Sequence, residues 1–497
     1  MIGNIKGFEK KDWQKFVKKT PLSMIEWGIS AGTHDGSLAV VKNNEILFAS
    51  HTERYSREKN DAHLDEALIN DALQYGEPDV VYWYENPLFK AGRKIYARQS
   101  ESWLSPKKYL KQYGINTKVK WGLHHESHAA AGYYTSPFDS SAVLVIDAIG
   151  EFDTTSIWLG QDRLRKLYSQ KYPQSLGLFY SAITDRVGLK PNEDEYILMG
   201  MSAYGDSETY YHAVRKWVWG KNLHRGCRNF MQHETINNFD LAATAQKIYE
   251  EEFEKLLIKT KELTGEYNLV LMGGCALNCL ANRLASKYFD NVWIMPNPGD
   301  AGSSLGAIAA AKKEKLNWTT PYLGHNIEGR YPSAKLLKEL LENKIVGVAN
   351  GRAEFGPRAL GNRSLLADPR GKDMQTVVNK IKQRQEFRPF APVILKQDAP
   401  KYFNVSKGFE SPYMQYVVRC KDPEKYPAIV HRDGTSRVQT VTREQHPGLY
   451  RLLTQWKKNT GCPMLLNTSL NIKGKPIVNN KSDAQDFEKM YGVKVLS

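Results

Sequence analysis

Three glycine-containing turns next to predicted strands or helices constrain the fold of this chain more than any other feature. The first lies at residues 31–37 between two predicted strands, and the second follows the apolar strand 269–272. The third, at residues 297–302, leads into a Gly/Ala-rich helix predicted at residues 303–311. Glycine permits the close backbone approach that such turns need. Because strands that lead through turns into helices are typical of α/β proteins, the sequence predicts that class.

The same turns predict a phosphate or nucleotide site. Small residues leave backbone N–H groups open to phosphate oxygens, both in turns and at the start of a helix. Predicted strands at residues 25–30, 38–41 and 45–50 place the first turn in a β-hairpin. An ordinary Asp-Gly turn explains that hairpin equally well when it is taken alone. The recurrence of the pattern favours nucleotide binding.

A pair of histidines predicts a metal site. His124 and His128 are four residues apart, so both imidazoles share one face of a helix. Asp147, at the end of a strand predicted at residues 142–147, and Asp300, in the third turn, can complete the ligand set. Imidazole and carboxylate ligands together suit iron, zinc or manganese better than calcium. Two buried structural histidines are the alternative.

An arginine-rich segment follows in the last third of the chain. Between Arg352 and Arg388 there are nine Lys or Arg residues and four Asp or Glu residues. Gly and Pro interrupt the segment, so it does not form a simple solvated helix face. A guanidinium binds phosphate or carboxylate through two parallel hydrogen bonds, which predicts an oxyanion site. A surface charge cluster is the alternative.

Length and charge set the outer limits of the interpretation. The 497 residues suggest several domains, and the net charge of +15 indicates either a polyanionic partner or bound small phosphates. We predict a basic extension at residues 1–24, a first domain at 25–325 and a second at 332–497. No apolar stretch or leader pattern indicates a membrane protein or a secreted one. Five scattered cysteines without a CxxC pair favour a cytoplasmic protein.

Ten ordered motifs carry a resemblance to a known family. The chain is similar to the O-carbamoyltransferases of the nodulation and antibiotic-tailoring type over nearly its whole length. The motifs are HDGSLAVV, ERYSREK, HHESHAAAGYY, MGMSAYGD, GGCALNCLAN, GDAGSSLGA, GRAEFGPRALGNRS, FRPFAP, DGTSRVQTV and LLNTSLN. The resemblance implies an actin/sugar-kinase-like first domain, similar to threonylcarbamoyl-transferring proteins. It implies a second α/β domain that forms carbamoyl adenylate.

The resemblance also implies a set of ligands and site residues. Carbamoyl phosphate is the co-substrate, ATP binds with Mg²⁺, and the metal at His124, His128, Asp147 and Asp300 is Fe²⁺. His34 lies beside the carbamoyl group. Adenosine binds at Gly273, Gly274 and Asn278. The residues that bind carbamoyl phosphate are Arg358, Arg363, Lys382, Arg388 and Arg437; Arg358, Lys382 and Arg388 are, with His34, also the expected catalytic residues.

The acceptor hydroxyl stays open at this point. A small metabolite, such as a sugar or macrolide, is the commonest acceptor that the resemblance implies. The charge of +15 and the basic extension favour a hydroxymethylated nucleobase in DNA as a second possibility. A non-enzymatic nucleotide-binding module of the chaperone type, or a sugar kinase on the same fold, are alternatives of another class. Neither has a use for the histidine pair.

Overall fold

The computed structural model describes residues 23–98, 105–371 and 373–497. The extension predicted at residues 1–24 lies outside the described residues, apart from Ser23 and Met24. In the described part of the chain, two five-stranded sheets form a first lobe and a six-stranded sheet forms a second lobe. Helices alternate with strands throughout, so the predicted α/β class is confirmed.

The first sheet starts with a three-stranded antiparallel meander and continues with two parallel strands. Its strand order is β3-β2-β1-β4-β5. The strands are β1 (Ile25–Ser30), β2 (Ser37–Lys42), β3 (Glu45–His51), β4 (Val80–Trp83) and β5 (Lys118–Trp121). The first three lie where the sequence predicts them, to within one residue at each end. A two-residue turn at Asn43-Asn44, with positive φ angles, closes the second hairpin.

The second sheet repeats this topology. Its order is β10-β9-β6-β7-β8, with β6, β7 and β8 antiparallel and with β9 and β10 parallel to β6. The strands are β6 (Ser140–Ile146), β7 (Asp153–Gln161), β8 (Arg163–Lys171), β9 (Asn268–Met272) and β10 (Asn291–Trp293). Two copies of one sheet topology in tandem form the actin/sugar-kinase-like arrangement expected from the resemblance.

Helices cover both sheets of the first lobe. They are α1 (Glu53–Ser56), α2 (Glu66–Leu73), α3 (Pro87–Tyr96), α4 (Pro106–Lys111), α5 (His124–Thr135), α6 (Leu176–Arg186), α7 (Glu195–Met201), α8 (Tyr211–Trp217), α9 (Asn238–Thr264), α10 (Cys279–Asn282) and α11 (Ser303–Lys312). Helices α5 and α11 follow the last strands of the two sheets and pack against each other. They are related by the repeat, and their N-terminal ends meet at one edge of both sheets.

The second lobe is built on a mixed sheet with the order β18-β15-β19-β14-β12-β20. The strands from β11 onward are β11 (Tyr322–Ile327), β12 (Ile345–Ala349), β13 (Gly351–Glu354), β14 (Arg363–Ala367), β15 (Ala391–Leu395), β16 (Val417–Arg419), β17 (Thr435–Arg437), β18 (Gln439–Val441), β19 (Met464–Ser469) and β20 (Val495–Leu496). The remaining helices are α12 (Ser333–Asn343), α13 (Asp373–Lys382), α14 (Ala399–Tyr402), α15 (Pro447–Thr460) and α16 (Lys481–Tyr491).

Strand β11 pairs with β13, so the residues on either side of the predicted domain boundary share a two-stranded sheet. The domain limits 25–325 and 332–497 therefore stay a prediction. Each lobe nevertheless buries apolar clusters of its own: two lie in the first lobe and a large third one surrounds the six-stranded sheet. Among the described residues, no helix has the length and apolar character needed to cross a bilayer.

Gly306 sets the distance between α5 and α11. A Cβ atom at this position would lie 1.9 Å from the carbonyl oxygen of Ser127 and 3.1 Å from Cβ of Ala131. The backbones of the two helices therefore approach more closely than any side chain at residue 306 would allow.

We expect Gly306→Ala to lower the free energy of unfolding by about 1–3 kcal/mol, because the added methyl group must push α5 away. Gly92→Ala is the matched control, since Gly92 is exposed in α3 and a Cβ there would meet nothing within 4 Å. This control should gain about 0.5–1 kcal/mol from helix propensity. Urea denaturation measures both values, and equal effects of the two variants would contradict the close approach.

Candidate active site

One cleft of about 1460 Å³ lies between the lobes. The first lobe lines it with His34, His124, Asp147 and Asp300, and the second lobe lines it with cationic side chains. Five of these are Arg358, Lys382, Arg384, Arg388 and Arg437, and Lys473 and Lys475 also line the cleft. The metal site and the oxyanion site predicted from the sequence thus open onto a single cavity.

Four predicted metal ligands converge at the floor of this cleft. His124 and His128 lie in the first two turns of α5, Asp147 directly follows β6, and Asp300 begins the short helix Asp300–Gly302 before α11. One ligand atom from each residue can be chosen so that all four lie within 4.8 Å of one another. The two sequence-distant acids meet the histidines because both sheets end at this edge.

The distances between these atoms fit a metal centre. Nε2 of His124 lies 3.0 Å from Oδ2 of Asp147, 3.1 Å from Nε2 of His128 and 3.3 Å from Oδ1 of Asp300. Nε2 of His128 lies 3.2 Å from the same Asp300 oxygen. Ligands about 2.1 Å from one ion are separated by about 3.0–3.4 Å in octahedral or tetrahedral geometry. The four residues therefore fit a divalent transition metal.

The charges of the cluster favour a cation at its centre. Burial alone would lower the pKa of His124, but Asp300 and Asp147 raise it well above its ordinary value. Burial would raise the pKa of Asp147, yet the hydrogen bonds of His124 and His128 lower it well below its usual range. Positive charge, as protons or as a metal ion, is thus strongly stabilised between these side chains.

A second layer of acids orients α5. The backbone N–H of His124 donates to both carboxylate oxygens of Glu151, at 3.0 and 3.1 Å, which satisfies one of the N–H groups that lack a partner within the helix. Glu85 lies 3.7 Å from Nδ1 of His124 and is paired with Lys90. Ser303 contacts Nδ1 of His128 at 3.3 Å. No motif in the sequence marks Glu85 or Glu151, so their roles emerge only in the fold.

His34 lies in the turn between β1 and β2 and lines the cleft. Its Nδ1 atom is 2.9 Å from Oδ2 of Asp35, and its Nε2 atom is 3.1 Å from the carbonyl oxygen of Asn192. Burial would lower the pKa of His34, but the hydrogen bond and charge of Asp35, with Asp300, raise it to about 9. His34 is therefore an imidazolium near neutral pH, and it spans the cleft to Asn192.

The predicted nucleotide-binding residues occupy one wall. Gly274 and Asn278 line the cleft, whereas Gly273 lies behind its surface with a φ of 91°. The amide group of Asn278 pairs with that of Gln246 and accepts from the N–H of Ala281. After Gly273 the chain enters a 3₁₀ helix (Gly274–Leu277) and then the four-residue α10, so only short helical segments follow this turn.

The cations of the second lobe repel one another. Burial and the charge of Arg437 lower the pKa of Arg358 to about 9, and burial with Arg388 lowers that of Arg384 to about 8. Burial and the same two neighbours, Arg384 and Arg388, lower the pKa of Lys382 well below its ordinary value. Within the described residues, none of these side chains forms an ion pair with a carboxylate. The cluster therefore favours an anion in the cleft.

The five cations differ in what else they contact. Lys382 donates to the carbonyl of Ser469 at 2.6 Å and to the side chain of Asn471. Arg358 donates to the carbonyls of Met414 and Leu277, at 2.5 and 3.3 Å. The guanidinium of Arg437 makes no hydrogen bond to any described residue. Arg384, absent from the sequence-based set, lines the cleft beside them.

Arg363 is the one predicted oxyanion ligand that the structure does not bring into the cleft. Its side chain is fully buried, and its guanidinium donates to five backbone carbonyls. These carbonyls belong to Asn479, Asn350, Gly351, Asn362 and His325. Arg363 thus fixes loops of the second lobe, and we leave it out of the anion site. The sequence of a loop that contains an arginine does not indicate which hydrogen-bond acceptor the guanidinium will contact.

Known proteins match both lobes. The family model described as Carbamoyltransferase N-terminus matches residues 89–310, and the one described as Carbamoyltransferase C-terminus matches residues 337–497. An uncharacterized protein of Synechocystis sp. is 33% identical, over 92% of this chain and 93% of its own length. Nodulation protein NolNO of Sinorhizobium fredii is 30% identical, over 91% and 76%. The 3'-hydroxymethylcephem-O-carbamoyltransferase of Amycolatopsis lactamdurans is 28% identical, over 90% and 94%.

Fold and site define a two-lobed α/β protein of actin/sugar-kinase-like architecture, with a cluster of metal-ligand type facing a cationic wall. The matches make the assignment specific: the chain belongs to the O-carbamoyltransferase family and is an enzyme that transfers carbamoyl groups. The alternatives of a chaperone-like nucleotide module and of a sugar kinase are therefore not supported.

We expect the wild type to bind about one divalent metal ion per chain and His128→Ala to lose this binding, since the variant lacks one of the four converging ligands. Elemental analysis after anaerobic loading with Fe²⁺ measures the stoichiometry, and the thermal midpoint of the loaded protein should fall with it. His125→Asn is the control, because His125 lies on the same helix but contacts Ser156. Retention of the metal by His128→Ala would contradict the ligand assignment.

The raised pKa of His34 predicts a pH dependence of stability. A folded-state pKa of about 9 against the ordinary 6.5 stabilises the fold fully below pH 6.5, and this contribution is lost as the pH rises through about 9. The stability difference between wild type and His34→Gln should therefore shrink over that range. Titration of the imidazole by NMR measures the pKa directly, and Asp35→Asn should lower it. An unchanged value in Asp35→Asn would exclude the Asp35 contact as the cause.

Proposed function

We propose that this enzyme is an ATP-dependent O-carbamoyltransferase that makes carbamoyl adenylate and transfers its carbamoyl group to an acceptor hydroxyl. Water hydrolyses carbamoyl phosphate to carbamate and inorganic phosphate, and a carbamate oxygen then attacks the α-phosphate of ATP and displaces pyrophosphate. The acceptor oxygen then attacks the carbamoyl carbon, and AMP leaves. The observation that carries the proposal is the single cleft that joins the cationic wall to the four-ligand cluster.

The cationic wall suits the first half of this sequence. Carbamoyl phosphate and the triphosphate of ATP both carry several negative charges, and ATP brings Mg²⁺ with it. Arg358, Arg388 and Arg437 lie where guanidinium groups can bind phosphoryl oxygens in pairs. Lys382, held in place by Ser469 and Asn471, adds a compact positive charge that a bound anion would stabilise. The mutual repulsion of these cations is relieved only when an anion binds.

The first lobe suits the second half. Adenosine of the carbamoyl adenylate binds along the wall formed by Gly274 and Asn278, which Gly273 supports from behind. His34, as an imidazolium, places a positive charge beside the oxyanion that develops when the hydroxyl attacks, and its Nε2–H can donate to that oxygen once it leaves the carbonyl of Asn192. A Fe²⁺ ion held by the four ligands would supply a Lewis acid at the same place. The walls of the two lobes keep water from the reactive anhydride.

The acceptor that we propose is a hydroxyl of a small molecule. Two relatives are named as 3'-hydroxymethylcephem-O-carbamoyltransferases, and a hydroxymethyl group is an unhindered nucleophile. The hydroxymethylated DNA base stays a prediction that depends on the net charge of +15. Part of that charge lies in the cleft, where phosphates of the co-substrates account for it.

Pyrophosphate release that depends on both ATP and carbamoyl phosphate tests the proposal. Arg437→Ala should lower this release by about 100-fold or more, because the variant loses a guanidinium that has no hydrogen-bond partner among the described residues and that we propose binds phosphate. His128→Ala should keep the release and abolish transfer, since the first half-reaction uses the other wall. Mass spectrometry of 3'-hydroxymethylcephem and of a hydroxymethylated oligonucleotide then detects an added carbamoyl group.

Arg443→Ala is the control for charge removal, because Arg443 is exposed and does not line the cleft. Absence of pyrophosphate release from the wild-type enzyme would contradict the proposal. Simultaneous loss of both half-reactions in His128→Ala would contradict the separation of the two halves. A carbamoylated oligonucleotide without a carbamoylated cephem would replace the small-molecule acceptor by DNA.

A further inference from the structure

The segment between α13 and β15, residues 383–390, reaches from the second lobe to the first, and we name it the arginine loop. It carries Arg384 and Arg388, whose side chains line the cleft. Between them lies Phe387, which points away from the anion site. This loop is a place where the cationic wall touches the first lobe directly.

Phe387 packs into an aromatic cradle of the first lobe. Its ring lies edge-on to Tyr204, with centroids 5.5 Å apart, and to Phe239, with centroids 5.7 Å apart. Tyr204 and Phe239 also contact each other at 6.0 Å. The hydroxyl of Tyr204 donates to the carbonyl oxygen of Phe387 at 3.1 Å. Both the side chain and the backbone of Phe387 are therefore held by the first lobe.

The arginine on the C-terminal side of Phe387 follows it into the first lobe. The guanidinium of Arg388 lies over the ring of Tyr196 in α7, 4.7 Å from its centroid. Tyr196 itself lines the cleft. Because Arg388 is the next residue in the chain, its position over the cleft depends on where Phe387 is docked.

The other side of the loop is shaped within the second lobe. The amide nitrogen of Asn379 donates to the carbonyls of Glu386 and Arg388, at 3.1 and 3.2 Å. Its oxygen accepts from Nε of Arg384 at 2.7 Å. Asn379 thus fixes the curvature of the loop, whereas Phe387 fixes its position relative to the first lobe.

We propose that Phe387, held by Tyr204 and Phe239, is a positioning residue that docks the arginine loop on the first lobe and so aligns Arg384 and Arg388 with bound carbamoyl phosphate. This inference rests on the proposed function. A docked loop also covers the carbamoyl adenylate. When the loop is undocked, water attacks the adenylate, the anhydride bond breaks, and carbamate and AMP leave.

Loss of the aromatic ring should weaken docking without removing any cation. One aromatic pair corresponds to about two- to tenfold in an equilibrium constant, so the loss of two pairs amounts to roughly tenfold or more. We expect Phe387→Ala to raise KM for carbamoyl phosphate about tenfold in ATP–pyrophosphate isotope exchange. The rate of AMP formation divided by the rate of ATP–pyrophosphate exchange, both measured without acceptor, should rise as well.

Three further variants separate positioning from general destabilisation. Phe387→Tyr keeps a ring and should restore both values. Tyr204→Phe removes only the hydrogen bond to the loop backbone and should give a smaller rise in KM. Phe409→Ala is the matched control, because Phe409 is also a half-buried loop residue of the second lobe but does not belong to the aromatic cluster of Phe387, Tyr204 and Phe239. Destabilisation alone lowers exchange and AMP formation together and leaves their ratio unchanged.

The outcomes distinguish this inference from the proposed function. A wild-type enzyme without carbamoyl-phosphate-dependent exchange overturns both. If wild type is active and Phe387→Ala keeps the wild-type KM and ratio, only the positioning role is overturned. Equal effects of Phe387→Ala and Phe409→Ala overturn it too. A raised KM and ratio in Phe387→Ala alone, with rescue by Phe387→Tyr, supports it.

Discussion

The close packing of α5 on α11 is the constraint on which the rest of the first lobe depends. Gly306 allows the two backbones to meet, with no room for a Cβ atom against the carbonyl of Ser127. One helix carries both histidines, and the other follows directly after Asp300. Because the two helices occupy equivalent places in a repeated sheet topology, their N-terminal ends converge. A wider separation would spread the four ligand atoms beyond the reach of one ion.

The cationic side chains of the second lobe repel one another, and only a bound anion would relieve this repulsion. Arg358, Lys382 and Arg384 are held close together, and their lowered pKa values reflect burial and mutual repulsion. Backbone carbonyls and amide side chains hold the groups in place but do not neutralise them. Charge of this kind stabilises bound phosphates more than charge on an open surface, where solvent screens it. The repulsion between these cations therefore lowers the stability of the free protein and raises its affinity for an anion.

Local sequence patterns predicted several strands and helices and the four candidate metal ligands. They did not predict the residues that surround and orient those ligands. Apolar runs such as β6 and β9, buried along almost their whole length, stand out in the sequence. The i, i+4 spacing of His124 and His128 can also be recognised from the sequence alone. Glu151 and Arg384 were not predicted, and the structure does not bring Arg363 into the cleft, because the position of each depends on partners far away in the chain. The sequence shows that a side chain is cationic. Whether that cation binds a backbone carbonyl or a substrate depends on the tertiary structure around it.

The single cleft changes what the charge of +15 means for this enzyme. A positive surface by itself favours a polyanionic acceptor, yet at least five of the cations face a cavity that also contains the four-ligand cluster. In the proposed mechanism, an intermediate formed on the cationic wall would reach the cluster within this one cleft. Since a carbamoyl–phosphate anhydride is readily hydrolysed, the two half-reactions that we propose need enclosure more than tight binding. The catalytic unit that we propose is therefore the interface between the lobes, more than either lobe alone.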